Sequence, residues 1–144
     1  MSSKDQWTGC YDIGWGKNLI PEAFSHPAKV SFSLAGKIYD HAINQGWVKK
    51  GDLVLDPFGG ICGFGFHALC YGFNFIAVEL EEKFVKMQKD NWAKIQMLGA
   101  ELGYSMGTAT ILQGDARQLE GLLVDKIVTS PPYAETEATI KEEV

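Results

Sequence analysis

Leu53-Val54-Leu55-Asp56-Pro57-Phe58-Gly59-Gly60 is a short apolar run that ends in a carboxylate, a proline and a pair of glycines. A run this short, bounded by turn formers, reads as a β-strand covered on both faces, with its polar residue at the carboxyl end. After Gly59-Gly60 a helix is expected to about Tyr71, closed by Gly72. Phe73 to Val78 reads as a second strand that ends at Glu79. Glu81 to Leu98 carries Phe84, Met87, Trp92, Ile95 and Leu98 within one face and acidic residues in its first turn, the pattern of an amphipathic helix. A loop from Gly99 to Gly107 then leads to a third strand, Thr110 to Gln113, which reaches Gly114-Asp115. A fourth, Lys126 to Thr129, runs directly into Ser130-Pro131-Pro132-Tyr133. Upstream of the first strand, a helix is expected from Pro27, with Ser25 or His26 near its cap, Leu34, Ala35, Ile38 and Ala42 on one stripe, and Gly46 at its end. Strands separated by helices imply crossover connections, hence an α/β fold with a parallel sheet and helices on both sides. In such sheets ligands sit beyond the carboxyl ends of the strands, where Asp56, Glu79, Asp115 and Ser130 all fall.

The 144 residues are 46% apolar and 22% charged, the size and composition of one ordinary globular domain. No stretch approaches the roughly 18–20 uninterrupted apolar residues of a membrane span. The polar start, Met1 to Gln6, is followed by no apolar core with a cleavage site, so a cytoplasmic location is expected. Residues 1–25 form an arm rich in aromatics, with Trp7, Tyr11, Trp15 and Phe24 among glycines and Pro21; residues 26–133 hold the strand and helix alternation; residues 134–144 are a polar, acidic tail or active-site loop. Cys10, Cys62 and Cys70 match no zinc spacing and read as reduced thiols, and His67 near Cys70 reads as a histidine beside a packed thiol, so no metal site is expected. The net charge is -5 and Arg117 is the one arginine among thirteen basic residues, which is not the basic face that grips a nucleic-acid duplex.

The residues at the strand ends suggest a nucleoside ligand. A glycine turn after the first strand admits close approach to the backbone, and an acid about 20 residues on accepts hydrogen bonds from ribose hydroxyls; Gly60 and Glu79 meet both requirements. Gly59-Gly60-Ile61-Cys62-Gly63 lacks the dehydrogenase glycine spacing, and the lysine and hydroxyl of a phosphate-binding loop are missing, so the pocket suits a nucleoside without a phosphate chain. Asp56 is placed to hold a ligand ammonium, and Asp115 to accept from an exocyclic amine. Taken singly, Asp56-Pro57 also reads as a strand-ending turn, Glu79 as a helix cap and Pro131-Pro132 as a rigid loop. Their order and their common place at strand ends carry the functional reading.

Asp56-Pro57-Phe58-Gly59-Gly60 followed in order by an acid, Gly114-Asp115-Ala116 and Thr129-Ser130-Pro131-Pro132-Tyr133 resembles the amino-group DNA methyltransferases that use S-adenosylmethionine. The resemblance covers about residues 20 to 133. It implies a Rossmann-like class I methyltransferase sheet, incomplete here at about four parallel strands, and methyl transfer to cytosine N4 or adenine N6 in DNA, as in restriction–modification. It also implies cofactor contacts from His26, Pro27, Ala28, Asp56, Pro57, Phe58, Gly60, Glu79, Leu80, Asp115 and Ala116, and a catalytic segment of Ser130, Pro131, Pro132 and Tyr133. The chemistry of that segment is coherent: acceptors aimed at the hydrogens of an exocyclic amine favour the pyramidal, nucleophilic nitrogen. Ser130 offers a hydroxyl oxygen, Pro131 a carbonyl held extended by the proline after it, and Tyr133 a face for an extruded base. No cysteine nucleophile is needed.

Two departures from the family stand out. Cys62 replaces a glycine of the loop, and the chain ends after the fourth of the family's seven strands. The expected partners are therefore DNA and a second polypeptide, or a missing C-terminal part, that carries the remaining strands and target recognition; homodimerisation through the exposed edge strand is the weaker form of the same expectation. The alternatives are a non-catalytic S-adenosylmethionine-binding subunit, a truncated remnant, and a methyltransferase for nitrogen atoms of protein or RNA.

Overall fold

The computed structural model describes residues 6–16, 20–25, 30–61, 63–102 and 105–131. A 3-10 turn, Pro21–Ser25, precedes α1 (Phe32–Asn44), β1 (Leu53–Asp56), α2 (Gly63–Cys70), β2 (Asn74–Glu79), α3 (Glu82–Leu102), β3 (Ala109–Gln113) and β4 (Lys126–Ile127). The four strands form one sheet in the order β3-β2-β1-β4, and every pairing is parallel. This is the expected α/β, Rossmann-like architecture. The chain moves outward from β1 to β2 to β3, then returns to pair β4 with the other side of β1. The order therefore reverses at β1, and the crevice beyond the carboxyl ends of β1 and β4 is the switch point where such sheets bind ligands.

The helices are not divided between the two faces as the sequence suggests. Both crossovers, β1 to β2 and β2 to β3, run in the same direction, and right-handed connections then put α2 and α3 on one face, where α2 touches both α1 and α3. Val54, Phe75 and Ala77 point into this layer and pack with Ala35, Tyr39, Phe64, Leu69 and Phe73. The Tyr39 hydroxyl, fully buried, donates to the Phe64 carbonyl at 2.8 Å. A second cluster joins Trp15, Ala23 and Ile61, flanked by Phe32 and Phe66, and the Trp15 indole donates to the Val30 carbonyl at 2.8 Å. His67 is buried against the Trp15, Phe32 and Phe66 rings, and burial pushes its pKa down to about 4, so it is neutral at pH 7.

Three element boundaries differ from the sequence reading. α1 begins at Phe32 with Ser31 as its cap, the Ser31 side chain accepting from the Leu34 amide; Val30 and Ser31 are not helical, so neither Ser25 nor His26 caps it. α3 continues through Gly99 to Leu102. A Cβ at Gly99 would sit 2.0 Å from the Met106 sulfur, so the Met106 side chain would have to shift to admit one. Its buried stripe is also displaced: Phe84, Val85, Gln88, Asn91 and Ile95 are buried, whereas Met87 and Trp92 are half-buried. β4 is only two residues long. Val128 still donates to the Leu55 carbonyl at 3.0 Å, but Pro57 has no N–H to continue the ladder. As expected, β4 is an edge, with Ile127 62% and nearby Leu123 90% exposed.

Candidate functional site

Strand alternation turns Asp56 to the same face as Val54, and Glu79 to the same face as Phe75 and Ala77. The parallel register sets Asp56 opposite Ala77, so the two carboxylates leave neighbouring strands on the helix side of the sheet, at its carboxyl edge. The turn between β1 and α2 fills the space between them. The Gly59 amide donates to the Val78 carbonyl at 2.8 Å, and a Cβ on Gly59 would lie 2.9 Å from the Gln88 amide nitrogen and 3.0 Å from the Ala77 Cβ. Gly60 has φ +58°, the left-handed region that favours glycine. Its amide donates to Glu79 Oε2 at 2.9 Å, while Glu79 Oε1 accepts from the Glu81 amide at 3.0 Å. Each Glu79 oxygen is thus fixed by one backbone donor and keeps lone-pair capacity for a second.

Asp56 is 2% exposed. Its Oδ1 accepts from the Phe58 amide at 3.0 Å and from the Thr129 hydroxyl at 2.6 Å. Burial is the largest influence on its acidity and raises the pKa to about 6; the Thr129 and Phe58 hydrogen bonds oppose this, and the nearby Glu79 charge adds to it. Thr129 immediately precedes Ser130, so this bond ties the end of the β4 segment to the end of β1.

Asp56, Gly60 and Glu79 therefore meet at one edge, with Pro57 half-buried and Phe58 and Leu80 exposed, at 41% and 63%, beside them. Ser130 and Pro131 are exposed at the end of the β4 segment. Asp115 and Ala116 follow β3. The Asp115 carboxylate is not open, however. It accepts from Arg117 at Nε, at 3.0 and 3.1 Å, and at Nη2, at 2.6 Å, and this pairing holds its pKa down at about 2. His26, Pro27, Ala28, Cys62, Pro132 and Tyr133 lie outside the described residues.

Sequence reasoning missed four residues of this edge. Thr129 and Arg117 are the partners of Asp56 and Asp115. Gln88 and Asn91, both fully buried on α3, donate to the Gly60 carbonyl at 2.7 Å and the Ile61 carbonyl at 3.0 Å, and Asn91 Oδ1 accepts from the Ile20 amide at 2.8 Å. A signal was present: Phe84, Gln88, Asn91 and Ile95 follow the i, i+4, i+7, i+11 spacing of a buried helix stripe, with amides at two of its positions. The edge has the features a nucleoside cofactor needs: a glycine turn without room for a Cβ at Gly59, a carboxylate with free acceptor capacity, and a second, buried carboxylate.

Residues 37–144 match the model of the family described as conserved hypothetical protein 95. The chain is 29% identical, over 111 residues, to a tRNA (guanine(10)-N2)-dimethyltransferase of Methanothermobacter thermautotrophicus, in a match that covers 76% of this chain and 30% of that relative. The chain thus spans under a third of that relative's length. Among solved structures, TrmN from Thermus thermophilus matches with a TM-score of 0.55 at 24% identity, over 85% of this chain and 33% of that one. MtNAS in complex with S-adenosylmethionine matches with a TM-score of 0.52 at 16% identity, over 79% of this chain and 42% of that one. These comparisons bear out the class I methyltransferase fold, and one of the structures that share it holds S-adenosylmethionine. They correct the resemblance to DNA methyltransferases and the expectation of DNA as partner: the curated relatives are methyltransferases of guanine in tRNA. The glycine turn and the strand-end acids, which carried the resemblance to the DNA enzymes, carry no information about the nucleic acid. With three quarters of its length inside the matched region, the chain belongs to the conserved hypothetical protein 95 family.

Proposed function

We propose that this chain carries the cofactor-binding and amine-activating part of an S-adenosylmethionine-dependent N-methyltransferase that acts on the exocyclic amine of guanine in tRNA. The observation that carries the reading is the Thr129–Asp56 hydrogen bond, because it ties the Ser130-Pro131 segment to the strand end that bears the glycine turn. Glu79, held by the Gly60 and Glu81 amides, accepts the ribose hydroxyls of the cofactor, and Asp56 takes its ammonium. Bound S-adenosylmethionine supplies the methyl group. Ser130 Oγ and the Pro131 carbonyl accept the two N–H groups of the target amine and favour the pyramidal nitrogen whose lone pair attacks; the methylated nitrogen then carries a positive charge and is neutralised by losing one of those protons to water, which reaches the exposed Ser130–Pro131 segment. The tRNA substrate is supported by the curated relatives, which are named for guanine N2.

The test is labelled methyl transfer to tRNA lacking modifications, followed by nucleoside analysis, with wild type and Ser130→Ala. N2-methylguanosine from the wild type, and turnover reduced at least tenfold in Ser130→Ala with cofactor affinity kept within twofold, is the expected result. Label in DNA and none in tRNA overturns the substrate; an unchanged turnover in Ser130→Ala overturns the role of that hydroxyl.

A further inference from the structure

Gln88 and Asn91 lie one turn apart on α3, and both are fully buried, with no exposed side-chain group to offer a ligand. Their amide groups instead point at consecutive carbonyls of the glycine turn, Gly60 and Ile61. A trans peptide directs its C=O and its N–H to opposite sides. Among the described residues there is no cis bond, so drawing the Gly60 carbonyl onto Gln88 turns the Ile61 N–H away from α3. The same helix therefore decides which faces of the turn's peptide planes are turned inward and which are left for a ligand.

The hydrogen-bond inventory of Gln88 indicates what the residue is for. Its side chain is fully buried and donates one hydrogen bond, while Oε1 has no partner among the described residues. A half-satisfied buried amide is a poor device for stability, because the unpaired acceptor carries its full desolvation cost. A methionine of similar shape would avoid that cost. Asn91 is different: it is satisfied at both ends and also holds the Ile20 amide, so it joins the segment entering the 3-10 turn to the glycine turn.

We infer that Gln88 and Asn91 are positioning residues for the cofactor, setting its affinity through the orientation of the glycine turn rather than by touching it. This rests on the reading of the edge as an S-adenosylmethionine site. Gln88→Met removes the donor to Gly60 and the unpaired acceptor together. Asn91→Asp keeps the acceptor for Ile20 and removes the donor to Ile61.

Binding of S-adenosylhomocysteine is measured by calorimetry on the full chain at one temperature, at least 15 °C below the lowest unfolding midpoint among the variants, so that every protein compared is folded. Expected are a dissociation constant raised about tenfold in each variant, a midpoint of unliganded Gln88→Met within about 3 °C of wild type, and faster amide exchange at Gly60 and Ile61. In an active preparation, KM for S-adenosylmethionine rises by a similar factor while kcat stays within twofold. Dissociation constants within twofold of wild type in both variants overturn the inference and leave the cofactor site intact. Wild type that fails to bind S-adenosylhomocysteine overturns the site reading itself, and the inference with it.

Discussion

Cofactor affinity in this protein should depend on pH with a midpoint set by Asp56. The carboxyl is 2% exposed, and its pKa is pushed from 3.8 to about 6 by burial. A cationic ligand group beside it favours the ionised form, so binding expels the proton. If the protonated form does not hold the ammonium, the apparent dissociation constant scales as 1 + 10^(pKa − pH), which is about tenfold weaker binding at pH 5 and almost no change above pH 7. His67, at about 4, is neutral across this range and adds nothing. Calorimetry between pH 5 and 7.5, in two buffers of different ionisation enthalpy, reads both the affinity and the proton released, which should be about half a proton near pH 6. Asp56→Asn is the control: weak binding that no longer varies in this window. The free protein should show the opposite trend in stability. A raised carboxyl pKa means that the folded state binds more protons than the unfolded state between about 4 and 6, so folding stability is highest at the acid side of that window and falls as pH rises through it. The full shift corresponds to about 3 kcal/mol, and unliganded Asp56→Asn should be the more stable protein at pH 7.5. Affinity that is flat from pH 5 to 7.5, with no buffer-dependent enthalpy, refutes the assignment of Asp56 to a cationic ligand.

Three further outcomes follow from other contacts. Glu79→Ala removes a charged acceptor for ribose and should weaken S-adenosylhomocysteine binding by about 1.5–3 kcal/mol, roughly ten- to hundredfold, as read by calorimetry. Gly107→Ala should destabilise the fold, because a Cβ there would meet the Phe73 carbonyl oxygen at 1.7 Å, and backbone cannot yield as a side chain can. Thermal unfolding should show a loss of at least about 3 kcal/mol, near 10 °C, and an unchanged midpoint would contradict the strand packing described above. Arg117→Ala should let the Asp115 carboxyl, now held at about 2, return toward the ordinary aspartate range, visible by NMR titration of its side-chain carbon.

Much of the sheet was legible because apolar runs such as 53–55 and 75–78 are bounded by residues that end strands, and because crossover rules leave few ways to connect them. The acids Asp56 and Glu79 were legible for the same reason: a strand's end is where a buried run meets its first polar residue. Facing helices were misjudged, since periodicity reports that a helix has a buried side but not which face of the sheet receives it. Gln88 and Asn91 escaped because a search for apolar periodicity discards amides even at buried positions, and only the carbonyls they meet reveal why they are tolerated. Ser31 was hidden by Ser25, an equally good cap by composition. The class of nucleic acid was the least legible part, because a nucleophilic amine requires the same acceptors whether it belongs to DNA or to the tRNA named for the curated relatives.

The position of β4 has a consequence for how the molecule folds. β1 and β2 pair residues 21 apart in sequence, as in Leu53 with Asn74, and β2 and β3 pair residues 34 apart, as in Phe75 with Ala109. β4 closes on β1 across 72 residues, Val54 with Lys126, and does so with a ladder of only two pairs. Loop-closure entropy rises with the logarithm of separation, so this contact costs about 1 kcal/mol more to close than the β1–β2 pair and returns less. The difference favours an order of assembly in which β1, β2 and β3 with their crossover helices form first and complete the glycine turn and Glu79, and the strand that brings Thr129 to Asp56 docks last. The glycine turn and Glu79 should be in place before the segment proposed to activate the amine arrives, and the bond between Thr129 and Asp56 should mark the final folding step.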